Sequence, residues 1–141
     1  KFAVIRNISD SASIPVINDF FYLTHIRNTG AAWSILQNGR FFFLILTPII
    51  LGALIYYLVK SENRILNVSL SFIIGGAIGN FIDRLLRGSV VDFFEFHFGS
   101  YRFPIFNVAD CFVVVGTILL AFYLLFIHKD KVEEKKEAEQ E

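Results

Sequence analysis

Two aspartates, Asp92 and Asp110, stand eighteen positions apart in a chain otherwise dominated by apolar side chains. Val90-Val91-Asp92-Phe93-Phe94 sets the first carboxylate among branched and aromatic residues. Asn107-Val108-Ala109-Asp110 sets the second at the mouth of a long apolar run. A carboxylate in such surroundings is costly to hold and tends to mark function. A pair of acids is also the minimum equipment for hydrolysis of the aspartic type. Two close carboxylates share a proton, one takes a proton from water, and the other donates to the scissile carbonyl oxygen.

The polar residues around this pair each carry a plainer reading beside the functional one. Asn107 and Asp110 have N-cap and N3 spacing, so they also mark a helix start with the acid at the positive end of the helix dipole. Asn80, Asp83 and Arg84 fit ion pairing at a membrane boundary as well as a site. Asn28, two residues before Gly30, is either part of a turn or a polar group aimed at a substrate backbone; Gly30 suits a turn with positive φ. Cys111, the single cysteine, reads as a small apolar packing residue and leaves no intrachain disulfide. His25, His97 and His128 are scattered and form no short metal motif.

The elements that must position these groups follow from composition. Of 141 residues, 55% are hydrophobic, above the ~45–50% of soluble domains, and the excess falls in three blocks. Residues 41–59 run nineteen positions without a charge, close to the ~20 that span a bilayer. Pro48 lies inside this run, which a lipid-embedded helix tolerates, and Tyr56 and Tyr57 sit near one end, where aromatic rings favour the interface. Residues 65–82 form a second span, with Gly75-x-x-x-Gly79 spacing that lets helix backbones approach. Residues 108–127 form a third, with Asp110 as its only charge. The formal net charge is zero, which argues against long-range attraction to nucleic acid.

Span order sets topology. The 60–64 turn and the tail from residue 128 share one side and carry Lys60, Arg64, Lys129, Lys131, Lys135 and Lys136. The other side carries Lys1, Arg6, Arg27, Arg40, Arg84, Arg87 and Arg102, spread over far more chain. Basic density near the span ends therefore places the tail in the cytoplasm and residues 1–40 and 83–107 outside. A chain whose first span enters from outside needs something upstream to carry its start across, so a further N-terminal span is expected.

The outside segments have pattern of their own. Residues 20–27 are rich in aromatic and β-branched types and read as a strand. One or two helical turns fit residues 31–36. Residues 90–98 alternate in period two, with Asp92, Phe94, Phe96 and Phe98 on one face and Glu95 and His97 on the other. A small sheet resting on the bilayer surface follows, with apolar side chains and Trp33 at the interface.

Four stretches then carry a resemblance: Asn28-Thr29-Gly30-Ala31-Ala32-Trp33-Ser34, Gly75 to Arg84 (GGAIGNFIDR), Gly88 to Phe93 (GSVVDF) and Phe103 to Asp110 (FPIFNVAD). In this order and spacing the chain resembles bacterial lipoprotein signal peptidases, also called signal peptidase II. The resemblance runs from about Ile14 to Ile127. It implies a mainly α membrane protein with a small extracytoplasmic β-cradle, having four transmembrane helices in the family and three here. Lys1 then stands where an Asp-Gln-x-x-Lys motif closing the first span would end. It implies an aspartic endopeptidase that cuts prolipoproteins before a diacylglyceryl-modified cysteine, with Asp92 and Asp110 as the catalytic dyad. Asn28, Asn80, Asp83, Arg84 and Asn107 match the remaining polar site positions and, with Gly30, are expected to bind substrate or support the site. The implied partners are the lipidated precursor and membrane lipid, the enzyme acting as a monomer in the bacterial inner membrane near its extracytoplasmic face. Such chemistry calls for no metal and no cofactor. Two other classes compete with this reading. In a small transport or proton-relay subunit, membrane acids carry protons; in a silent scaffold, Asp110 only caps a helix. Both key acids lie near one surface and none lies mid-span, which argues against the relay.

Overall fold

The computed structural model of the chain describes residues 1–30 and 39–128. The expected helical turns at 31–36, the interfacial placement of Trp33 and the charged tail from 129 lie outside the described residues. A short helix α1 (Phe2–Asn7) precedes strands β1 (Ser13–Ile17) and β2 (Phe21–Asn28). Two long helices, α2 (Arg40–Lys60) and α3 (Arg64–Arg87), follow; then come β3 (Val90–Phe98), β4 (Tyr101–Arg102) and α4 (Val108–Phe122), which continues as π-helical turns to His128. Three of these helices are long and apolar enough to cross a membrane, ending at Lys60, Arg87 and His128.

Local chemistry fixes the helix ends. Asn63 caps α3 by accepting from the N–H groups of Ile65 and Leu66, and Gly88 ends it at φ 77, in the left-handed region that glycine enters without a Cβ penalty. That turn feeds directly into β3. Helix α3 runs past the apolar block ending at Ile82, so Asp83 and Arg84 sit on a helix rather than in a connecting loop. The cause is that Asp83 finds partners there: it is buried and bonds Arg87 one turn on at 2.7 Å.

Helices α3 and α4 meet through glycines, but not through the expected pair. A Cβ on Gly76 would lie 2.3 Å from the Ala109 carbonyl oxygen, and one on Gly116 would lie 2.7 Å from Ile73 Cγ1; a Cβ on Gly75 would meet nothing within 4 Å. Gly76, Gly79 and Gly116 form the contact, and Gly75 faces away. Helix α2 keeps its large residues outward, with Ile45 67% and Ile49 64% exposed, as a lipid-covered surface would.

The four strands form one antiparallel sheet in the order β1-β2-β3-β4. Val91 and Phe93 join Val4 and Ile8 of the α1 segment in a buried cluster, while Phe96 on the opposite face stacks with Phe21 at 4.7 Å. Strand β2 is not regular. Leu23 pairs with Phe94, but Ile26 pairs with Asp92 and Asn28 with Val90, so β2 carries one extra residue between them. Strict alternation from Leu23 would turn Asn28 away from Asp92; the bulge turns it to the same face. Thr24 and His25, at the bulge, are both buried. Thr24 hydrogen-bonds Glu95, His25 Nδ1 bonds the Ile8 carbonyl at 2.8 Å, and His97 Nε2 bonds Glu95 at 2.8 Å. Burial alone would raise the Glu95 carboxyl, yet the bonds from His97 and Thr24 outweigh it and hold the carboxyl below its ordinary value.

Candidate active site

The start of α4 is built by a capping box. The Asn107 side chain accepts from the N–H groups of Ala109 and Asp110, and the Asp110 carboxylate accepts from the Asn107 N–H. This fixes the acid's rotamer, since its Oδ2 lies 3.0 Å from that nitrogen. Its other oxygen accepts from Asn80 Nδ2 of α3 at 2.7 Å.

Asp92, on β3, is 3% exposed. Asn107 Nδ2 donates to its Oδ1 at 2.6 Å, and Asn28 Nδ2 donates to its Oδ2 at 3.0 Å. Burial pushes the Asp92 carboxyl above the ordinary range; the bonds from Asn107 and Asn28 pull it back, and the nearby Asp110 charge pushes it further up. Asn107 therefore touches both acids, one through its side chain and one through its backbone, and is itself fully buried. Its Nδ2 also lies 3.3 Å from Asn80 Oδ1. Three asparagines from β2, α3 and the start of α4 thus hold two carboxylates in one network.

Asp83 and Lys1 support this network from behind. Lys1 Nζ lies 2.6 Å from Asn80 Oδ1 and 3.0 Å from Asp83 Oδ2. With its acceptor held by a cation, the Asn80 amide group must present its Nδ2 to Asp110. Asp83 also accepts from the Val91 N–H at 3.2 Å, which ties the end of α3 to the strand that carries Asp92. Gly30 closes the far side: its N–H donates to Asn28 Oδ1 at 2.9 Å, and its carbonyl accepts from Arg84 Nη2 at 2.7 Å.

Both acids line a cleft of about 470 Å³, whose walls include Phe43, Phe103, Phe106 and Val114. The arrangement suits a substrate with an apolar portion presented to two acids. The polar site candidates Asn28, Asn80, Asp83, Arg84 and Asn107 lie in or beside this network with the two acids; His25 and His97 bond elsewhere in the sheet. Sequence reasoning gave Lys1 no contact with the site and missed Phe43, since nothing in the FFF run distinguishes the ring that faces the cleft from the two that do not.

Comparison with known proteins accords with this architecture. The family model for Signal peptidase (SPase) II matches residues 1–126. The chain is 46% identical over 135 residues to the lipoprotein signal peptidase of Bacillus pumilus (strain SAFR-032), covering 94% of this chain and 87% of that one. It is 48% identical over 126 residues to the lipoprotein signal peptidase of Listeria monocytogenes serotype 4a (strain HCC23), covering 88% and 82%. A bacterial membrane enzyme solved by the in meso method at 2.3 Å resolution superposes with a TM-score of 0.84 at 42% identity, over 92% of this chain and 80% of that chain. A second, solved at 1.9 Å, gives 0.78 at 42% identity, over 89% and 83%. The chain belongs to the signal peptidase II family.

Proposed function

We propose that this membrane peptidase removes signal peptides from diacylglyceryl-modified prolipoproteins by using Asp92 and Asp110 to activate water. The observation that carries the reading is Asn107, which bonds Asp92 through its side chain and Asp110 through its backbone. Two acids so linked at one apolar cleft can divide the work of hydrolysis. One carboxylate takes a proton from water while the other, protonated, donates to the scissile carbonyl oxygen. The resulting gem-diol collapses as a proton passes to the leaving nitrogen. The two roles belong to the dyad jointly.

The cleft also accounts for the substrate class. Acyl chains confine a lipidated cysteine to the bilayer, and a site at the membrane boundary meets it by that confinement. The short basic α2–α3 turn supports a cytoplasmic placement for that end of the spans, with the dyad at the extracytoplasmic face of the bacterial inner membrane.

The test uses Asp92→Asn and Asp110→Asn in the full-length protein, with a lipidated and an unlipidated precursor. Each variant is expected to lose cleavage by more than about a hundredfold while keeping its thermal unfolding midpoint within a few degrees. Near wild-type turnover in either variant overturns the dyad. Equal cleavage of the unlipidated precursor overturns the substrate assignment.

A further inference from the structure

We propose that Phe43 of α2 is a positioning residue for this reaction, holding the Arg84 guanidinium at the cleft so that it can clamp the end of β2. The Arg84 Cζ lies 4.4 Å from the Phe43 ring centroid, within the range of a cation–π contact. Its Nη2 donates to the Gly30 carbonyl at 2.7 Å. Gly30 in turn donates to Asn28, whose amide bonds Asp92. A chain of contacts therefore runs from α2 through Arg84 to the dyad.

The choice of a ring as partner has a physical reason. Among the described residues, no carboxylate forms an ion pair with Arg84, and its buried Nε has no hydrogen-bond partner. A half-buried guanidinium still needs something to favour its charge. Asp110, Asp92 and Asp83 favour that charge from a distance; a carboxylate in contact would add a further negative charge beside them. The negative face of a phenyl ring attracts the cation without adding charge. Phe41 and Phe42, the neighbours of Phe43, are 77% and 52% exposed; Phe43 alone of the three lines the cleft. Helix α2 is otherwise a lipid-facing span, and this ring gives it a share in the site.

The inference rests on the proposed cleft, and its test keeps the dyad intact so that the two can fail separately. Phe43→Leu and Phe43→Tyr are compared in the full-length enzyme on a lipidated precursor. The Leu variant keeps an apolar wall but removes the ring; it is expected to lower kcat/KM about tenfold, mainly through KM. The Tyr variant keeps the ring and is expected to stay within about threefold of wild type. Repeating both in an Arg84→Gln background, under single-turnover conditions, separates action through the arginine from packing. There Phe43→Leu is expected to cost less than about twofold. A Leu variant that behaves as wild type overturns the proposal. So does a Tyr variant as impaired as Leu, or an undiminished Leu effect once Arg84 is gone.

Discussion

At the scale of single residues, Asn107 does two separable things. Its side-chain oxygen caps α4, and its side-chain nitrogen donates to Asp92. Serine at an N-cap also accepts from the first free N–H groups of a helix, but cannot reach Asp92 with an amide donor. Asn107→Ser should therefore keep the helix start and lose more than about tenfold in kcat/KM. The sign of its pH effect follows from Asp92. Burial and the Asp110 charge raise that carboxyl, and the Asn107 bond opposes them. Removing the bond raises it further, so whichever limb of the kcat/KM profile Asp92 governs moves to higher pH. A limb that moves to lower pH contradicts the network. Stability follows the same sign. A carboxyl raised on folding contributes fully below its unfolded value and loses that contribution as pH rises through its folded one. The variant should therefore be weakened more at neutral pH than in acid, as thermal melts at pH 4 and 7 can show. The cap itself was legible in the spacing of Asn107 and Asp110. The second role was not, because Asp92 reaches Asn107 only through the fold.

At the scale of elements, two features set the separation and facing of the site groups. The first is the glycine contact between α3 and α4. Gly76 lies one turn before Asn80 on α3, and its missing Cβ makes room for Ala109, the residue before Asp110. Gly76→Ala should drive the helices apart, stretch the 2.7 Å Asn80–Asp110 bond and cost roughly 1–3 kcal/mol of stability, with cleavage down more than about tenfold. Gly75→Ala, with open space around it, should leave cleavage unchanged and shift stability by about 1 kcal/mol or less in the favourable direction. Paired unfolding and activity measurements check both; equal damage from the two would refute the assignment. The sequence shows a glycine cluster but not which member faces the partner, since that depends on the ridge Ala109 and Val113 present. The second feature is the bulge in β2. Period-two alternation made β3 readable from Val90 to Phe98, with Asp92 on the aromatic face. The same rule misleads in β2, where the extra residue at Thr24 and His25 reverses the facing of Asn28. Nothing in the sequence around Thr24 and His25 announces a bulge, which is accompanied by their buried bonds to Glu95 and the Ile8 carbonyl.

At the scale of the whole molecule, charge and span order make a claim about direction. Asp110 at the start of α4 and Asp92 on β3 lie at the end of the spans that carries the sheet, while the α2–α3 turn lies at the opposite end of α2 and α3. If the denser basic flank faces the cytoplasm, the sheet and cleft face outward. Two exposed positions report on this, Glu62 in the turn and Ser100 between β3 and β4. Cys111 is the single thiol among these 141 residues; replacing it, and any cysteine outside them, with alanine gives a silent background once its cleavage activity has been checked. Single Glu62→Cys and Ser100→Cys variants are then treated in spheroplasts with a membrane-impermeant maleimide. Ser100→Cys should label in spheroplasts without further treatment, and Glu62→Cys only after the membrane is permeabilised. The reverse pattern would place the dyad in the cytoplasm, away from a precursor delivered across the membrane. Labelling of both positions from outside would break the three-span order itself. The expected pattern joins the scales: the basic turn orients the spans, the spans carry the sheet to the outer boundary, and the bulged sheet turns Asn28 and Asp92 toward Asp110 where a lipid-anchored peptide bond can reach them.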